Sequence, residues 1–205
     1  MANEIDRVVP PALPLAPEVY ERPYIDQSNS VLRLFFNRLT NVVNTLLSTD
    51  VGGKFLYNPC AAFYSTQDQT ASVVNTGYAV TFNNTSYTST VTLSNNSRIN
   101  VQNSGVYKFD VTLQLEHNNS SETLVTVWEQ KNGSPIAYSA HKFDVKGNDD
   151  YVVHWGFTVS LTANDYIEVY WATGDTQLNL HTATASSPHP GIPSASIDIS
   201  FVSNV

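Results

Sequence analysis

Five histidines, eighteen carboxylates and one cysteine are the side chains of this chain that could carry acid–base, metal or nucleophilic chemistry. Their spacing argues against all three. His117, His141, His154, His181 and His189 are scattered, and no two stand at metal-ligand spacing within one element. Serine, histidine and aspartate all occur, but no nucleophile elbow accompanies them. Glu116 and Glu129 fall on strand-like segments with no sign of a cleft holding a paired acid and base. Asp144, Asp149 and Asp150 cluster in DVKGNDD. That loop has calcium-binding residue types but not the EF-hand order, and it reads better as a solvated acidic loop. No glycine-rich phosphate cradle is present. Cys60 follows Pro59 and suits a small buried position better than a reactive thiol. The expectation is a protein without catalytic residues, metal or cofactor. Tyr87, Tyr138, Tyr151, Tyr166 and Tyr170 offer a different chemistry, either a carbohydrate platform or subunit-interface contacts, and the interface reading is preferred.

The elements that carry these residues are mostly strands. The clearest is Gly105–Glu116, GVYKFDVTLQLE, in which Tyr107, Phe109, Val111, Leu113 and Leu115 alternate with polar residues. Successive side chains of a strand point to opposite faces, so the alternation describes one dry and one wet face. Tyr151–Leu161 repeats the pattern, and Tyr166–Thr173 and Ser196–Val202 do so in shorter form. Further strands are predicted at 54–64, 71–82, 87–93, 98–101, 122–130 and 136–143. Asn132-Gly133 marks a tight hairpin. Residues 182–194 read as a polar loop. About eight to ten short strands without intervening helices predict an antiparallel double-sheet sandwich or jelly roll and exclude a parallel α/β sheet.

The first fifty residues differ. Five of the ten prolines fall within residues 1–25. Proline fixes φ and removes a hydrogen-bond donor, so this segment is expected to be extended. With Val8, Val9, Pro10, Pro11, Leu13, Pro14, Leu15, Pro17, Tyr20 and Tyr24 it is too apolar for a passive linker, and an arm that orders on a partner is expected. Residues 26–48 are read as one helix with Asp26 as N-cap, and Asp50-Val51-Gly52-Gly53 as its stop and hinge. Leu32, Phe36, Leu39, Val43 and Leu46 are spaced 4, 3, 4, 3, as on a coiled-coil seam. Two readings stand open, a self-associating stalk or a helix lying on its own domain. The division is therefore an arm at 1–25, helix and hinge at 26–53, and a β-domain at 54–205.

Composition narrows the partners. A formal net charge of −8 disfavours nucleic acid, whose phosphates need a basic face. No apolar run approaches the ~20 residues that span a bilayer. The acidic, proline-bearing start lacks the features of a signal peptide, so synthesis in a cytoplasm is expected.

Two stretches carry a resemblance. NSGVYKFDVTLQL, the strand–Asn-Gly–strand hairpin, VVHWGFTVSLTANDYIEVYW and the closing SASIDISFV resemble the trimeric jelly roll of C1q and tumour-necrosis-factor-like domains. Gly105, Tyr107 and Phe109 match its Gly-x-Tyr-x-Phe strand. Leu161 and Asp165 match its Leu-x-x-x-Asp turn, with Asn164 where glycine is usual. The N-terminal Pro14, Leu15, Pro17, Tyr20 and Tyr24, with Leu32, Leu34, Phe35 and Phe36, resemble virion proteins of tailed bacteriophages. Together the resemblances imply a homotrimeric capsid decoration (cement) protein that is assembled in the host cytoplasm, sits on the capsid surface and binds the major capsid protein or another virion protein through its arm. They imply a trimer interface that includes Leu32, Phe36, Leu39, Val43, Leu46, Tyr107 and Phe109. The rival is a tail-fibre or receptor-binding component that recognises host glycans. A secreted C1q-like binding module is a third possibility.

Overall fold

The computed structural model describes residues 18–19, 21–47 and 58–204, in two compact units divided between Tyr57 and Asn58. The arm positions Val8, Val9, Pro10, Pro11, Leu13, Pro14, Leu15, Pro17 and Tyr20 lie outside the described residues, as does the Gly52-Gly53 hinge.

Among its described residues the first unit forms one helix, α1 (Arg22–Leu47). It begins four residues earlier than the sequence reading placed it. Pro23 is the reason: in a first turn its missing N–H is one the helix would leave unpaired anyway. Tyr24, expected in the arm, is therefore helical. Asp26 is not the N-cap but lies one turn inside, 3.8 Å from Arg22. Both partners are well exposed, so that ion pair adds little stability.

The second unit is all β. Its strands are β1 (Cys60–Ser65), β2 (Gln69–Thr70), β3 (Tyr78–Ala79), β4 (Asn84–Ser89), β5 (Val91–Ser94), β6 (Arg98–Val101), β7 (Gly105–His117), β8 (Thr123–Lys131), β9 (Ser134–Pro135), β10 (His141–Val145), β11 (Asp149–Leu161), β12 (Tyr166–Thr173), β13 (Leu178–Leu180) and β14 (Ala195–Ser203). The first sheet places β7 at its centre. β11 pairs with it along its whole length, β14 and β13 share its other edge, and β1 and β4 continue outward from β14. The second sheet runs β10–β8–β12–β6–β5. All pairs are antiparallel, and the chain crosses between sheets at β2–β3, β3–β4, β4–β5, β6–β7, β7–β8, β10–β11, β11–β12 and β12–β13. This is a jelly roll.

The core lies between the sheets. Tyr107, Phe109, Val111, Leu113 and Leu115 of β7 face Val125 and Val127 of β8 and Ile167, Val169 and Trp171 of β12, within one continuous buried cluster. Phe109 stacks flat on Phe157, ring centroids 4.8 Å apart, and Tyr107 meets Phe201 edge-on at 5.5 Å. Gly105 has a steric role: a Cβ there would stand 2.2 Å from the Phe201 ring and 2.9 Å from Ser203 O. A β-carbon requires one of them to move, so Gly105→Ala is expected to cost about 1–3 kcal/mol by overpacking, read from urea unfolding midpoints.

Three predicted strands are broken by backbone that turns left-handed. Within 71–82 only Tyr78–Ala79 pairs as a strand; Asn75 has φ 54° and Gly77 lies against the Trp128 ring. Thr90, φ 56°, splits the 87–93 run between the two sheets. In 136–143 the chain turns at Tyr138, φ 62°, and pairing resumes only at His141. The Asn132-Gly133 hairpin forms as expected, with φ 52° and 78°. Asn164 adopts φ 74°, a conformation that glycine and asparagine tolerate, which accounts for asparagine at a position where glycine is usual.

Candidate functional site

Among the described residues no group of three or more His, Cys, Asp or Glu is placed to hold a metal ion. Asp144 ends up exposed on β10, while Asp149 and Asp150 open β11. Among the described residues, surfaces able to receive a partner include a helix stripe, the wet faces and edges of the sheets, and a cleft.

On α1 the five seam residues fall within a single stripe, because spacings of 4 and 3 return to one side of a helix. Phe36, Val43 and Leu46 are 58%, 40% and 42% exposed, and Leu32 and Leu39 are half-buried. Phe35 touches Phe36 edge-on at 5.7 Å. The stripe is apolar and open to contact.

Tyr107 and Phe109 do not belong to an interface. Both are 0% exposed within a single chain. The Tyr107 hydroxyl donates to Asn103 O at 2.8 Å, and burial pushes its pKa up to about 12. Alternation identifies the dry side of a strand but not what keeps it dry; here the opposing sheet does. The face of β7 left for contact carries Lys108, Asp110, Thr112, Gln114 and Glu116. Lys108 Nζ pairs with Asp110 at 2.7 Å, and Asp110 stands directly opposite Asp198 of β14. His154, on the same wet face, shares a 3.0 Å hydrogen bond with the Thr112 hydroxyl. The tyrosines do not form one platform. Tyr87 is opposite Ala62 in the first sheet, Tyr166 and Tyr170 lie on β12 of the second, and Tyr138 projects from the turn before β10.

A cleft of about 280 Å³ lies beside the 182–193 loop, lined by Tyr64, Thr66, Thr182, Thr184, Ile192 and Pro193 among others. The loop is pinned by Ala183 pairing with Ile192, and by Thr182 N–H donating to Asp68 at 2.7 Å.

Three polar ties were not foreseen from the sequence. The indole of Trp155 donates to buried Glu129 at 2.7 Å. Ser97 donates to Glu168 at 2.7 Å, and Arg98 approaches the same oxygen at 3.5 Å while covering the Tyr166 ring at 4.6 Å. Buried His117 places Nδ1 3.1 Å from Lys146 O and Nε2 3.2 Å from Asp175, which also accepts from Asn119 at 2.6 Å. The partners in all three ties are far apart in sequence, so no local pattern marks them. Trp155→Phe is expected to leave Glu129 without its donor and to cost about 1–3 kcal/mol, measured by chemical denaturation.

Asp175 holds its carboxyl below the usual range. The Gln177 backbone N–H is the main cause; burial opposes it, and His117 and Asn119 add to the lowering. A depressed folded-state value means that the stabilisation is present above the unfolded carboxylate pKa and is lost as pH falls through the folded one. Asp175→Asn should therefore be less stable than wild type at pH 7, with the gap closing in acid. Thermal midpoints of both proteins between pH 7 and pH 2 check this.

No protein-family model matches the chain, and no curated protein matches it. Solved structures do. The chain is similar in fold to two of them. The crystal structure of murine APRIL at pH 5.0 aligns over 71% of this chain and 99% of its own, at 11% identity and a TM-score of 0.48. The globular domain of zebrafish complement 1qA protein aligns over 72% and 99%, at 14% identity and a TM-score of 0.47.

Proposed function

We propose that this chain is a virion structural protein: a homotrimeric capsid decoration protein that fastens to the shell through its N-terminal segment and displays the jelly roll outward. The observation that carries the reading is the open apolar stripe of α1, which follows directly on a proline-rich, apolar segment resembling the starts of tailed-phage virion proteins. A stripe this wide and aromatic suits three helices meeting better than a narrow two-helix seam. Three arms on one body then multiply the effective affinity for a shell of repeated sites. The proposed partners are two further copies of this chain and a major capsid or other virion protein, with assembly in the host cytoplasm.

The cleft beside Tyr64 favours one alternative, a tail-fibre or receptor-binding component. An aromatic ring among threonine hydroxyls is suited to a sugar ring, and the cleft's 280 Å³ lies just under the ~300 Å³ at which ligand pockets begin. Copy number separates the two readings, at hundreds per particle for a shell protein and tens or fewer for a fibre.

Removing residues 1–21 leaves α1 and the β-domain whole. The shortened protein is expected to keep its fold and oligomeric state and to lose particle binding. Normal decoration of particles by the shortened protein would refute attachment through the arm.

A further inference from the structure

The long edge of the first sheet is open, and its opening is bounded. Gln114 N–H donates to Ser194 O at 2.9 Å, and Gln114 O accepts from His181 N–H at 2.8 Å. Even-numbered residues of β7 therefore turn their backbone groups toward β14 and β13, and odd-numbered ones turn toward β11. Leu113 stands opposite Val153, so odd-numbered β11 residues bond to β7 and even-numbered ones point their N–H and C=O away from the sheet. At one end Asp150 N–H is taken by the Asp149 carboxylate at 2.9 Å. At the other end Ser160 O is taken by Lys131 Nζ at 3.0 Å. Between them, the outward backbone groups of Val152, His154, Gly156 and Thr158 meet no partner among the described residues.

Exposed edges are usually blunted by lysine, proline, a bulge or shortness. β11 runs thirteen residues in unbroken register and contains no proline, lysine or arginine. We propose that this edge receives an extended peptide segment from another protein, which adds a strand alongside residues 152–158. The proposal does not depend on the virion reading. The side chains beside the edge state what the segment must be. On its core side Phe157 and Val159 are only half-buried, so alternate apolar residues of the incoming strand would complete the rim. On its wet side Gly156 has no side chain, and a Cβ there would stand 2.6 Å from Asp110 Oδ1. The Asp110 carboxylate thus lies over Gly156; one oxygen is paired with Lys108 at 2.7 Å, but Asp198 stands opposite, so the patch stays net acidic and suits a basic residue placed opposite Gly156. The partner is an alternating apolar–polar strand with a cation at its centre.

The test is a titration of the full-length, 15N-labelled protein with a synthetic peptide Val-Thr-Val-Lys-Val-Thr-Val, followed at each backbone amide. In the free protein the amides of Val152, His154, Gly156 and Thr158 are expected to exchange with solvent at least ~10-fold faster than those of Val153, Trp155 and Phe157, because only the latter are paired. With peptide, the four outward amides should shift, saturate and become protected, and a peptide with glutamate in place of lysine should bind several-fold more weakly. Val152→Pro with Thr158→Pro removes two outward donors while leaving the β7 ladder intact, and it should weaken binding at least ~10-fold. Should that pair disturb the fold, Val152→Lys with Thr158→Lys blunts the same edge by charge and should have the same effect. Three results would overturn the proposal: no edge shifts at millimolar peptide, equal binding by both edge variants, or outward amides already protected in the free protein.

Discussion

Phe109→Ala is expected to lower the unfolding free energy by about 3–5 kcal/mol, a large part of the ~5–15 kcal/mol that a domain has in total. The ring is fully buried, stacks on Phe157 across the β7–β11 pair and sits at the centre of the core. Removing it leaves a hole that paired strands cannot close, because their spacing is fixed by backbone hydrogen bonds. Its effect on assembly should be small. A core residue changes the urea midpoint while the folded protein keeps its oligomeric state; an interface residue would change the mass of the folded species. Chemical denaturation together with sedimentation of the same variant separates the two. The contrast matters because the Gly-x-Tyr-x-Phe pattern invites an interface reading that the burial of Tyr107 and Phe109 rules out.

How far the sequence reveals this molecule depends on the range of the interactions concerned. The alternation of β7, β11 and β14 is a local property, so those strands and the double-sheet class are readable from the chain alone. So is the Asn132-Gly133 hairpin, since its φ values are ones that these two residue types adopt readily. Breaks in strands are harder to read. Thr90 and Tyr138 take positive φ against their residue type, held by the crossing between sheets and by the turn that Ser139 pins to Glu129. The start of α1 is hard to read because Asp26 is a good cap on paper while Pro23 is compatible with an earlier first turn. The association surfaces divide in the same way. The heptad spacing of α1 marks its stripe directly. The open edge of β11 is invisible to periodicity, because it depends on which strands pair and which backbone groups are left over.

Leu39→Asp combined with Val43→Asp carries the second large effect. Both positions lie on the α1 stripe, and neither is needed to hold the β-domain, whose core is a separate cluster. In a packed bundle each aspartate would place an unpaired carboxylate among apolar side chains, at a cost of about 3–5 kcal/mol per site. Every ~1.4 kcal/mol is a factor of ten in association, so the pair should turn a micromolar or tighter assembly into free chains. The β-domain should keep its near-ultraviolet circular dichroism and its urea midpoint. If the double variant remains assembled, the helix stripe is not what joins the copies.

The proposed assembly rests on three chains meeting through α1, and the mass of the full-length protein in dilute solution tests that most directly. Sedimentation equilibrium at micromolar concentration is expected to give three times the 22.6 kDa chain mass, unchanged on tenfold dilution. A single species at 22.6 kDa under the same conditions would contradict the account.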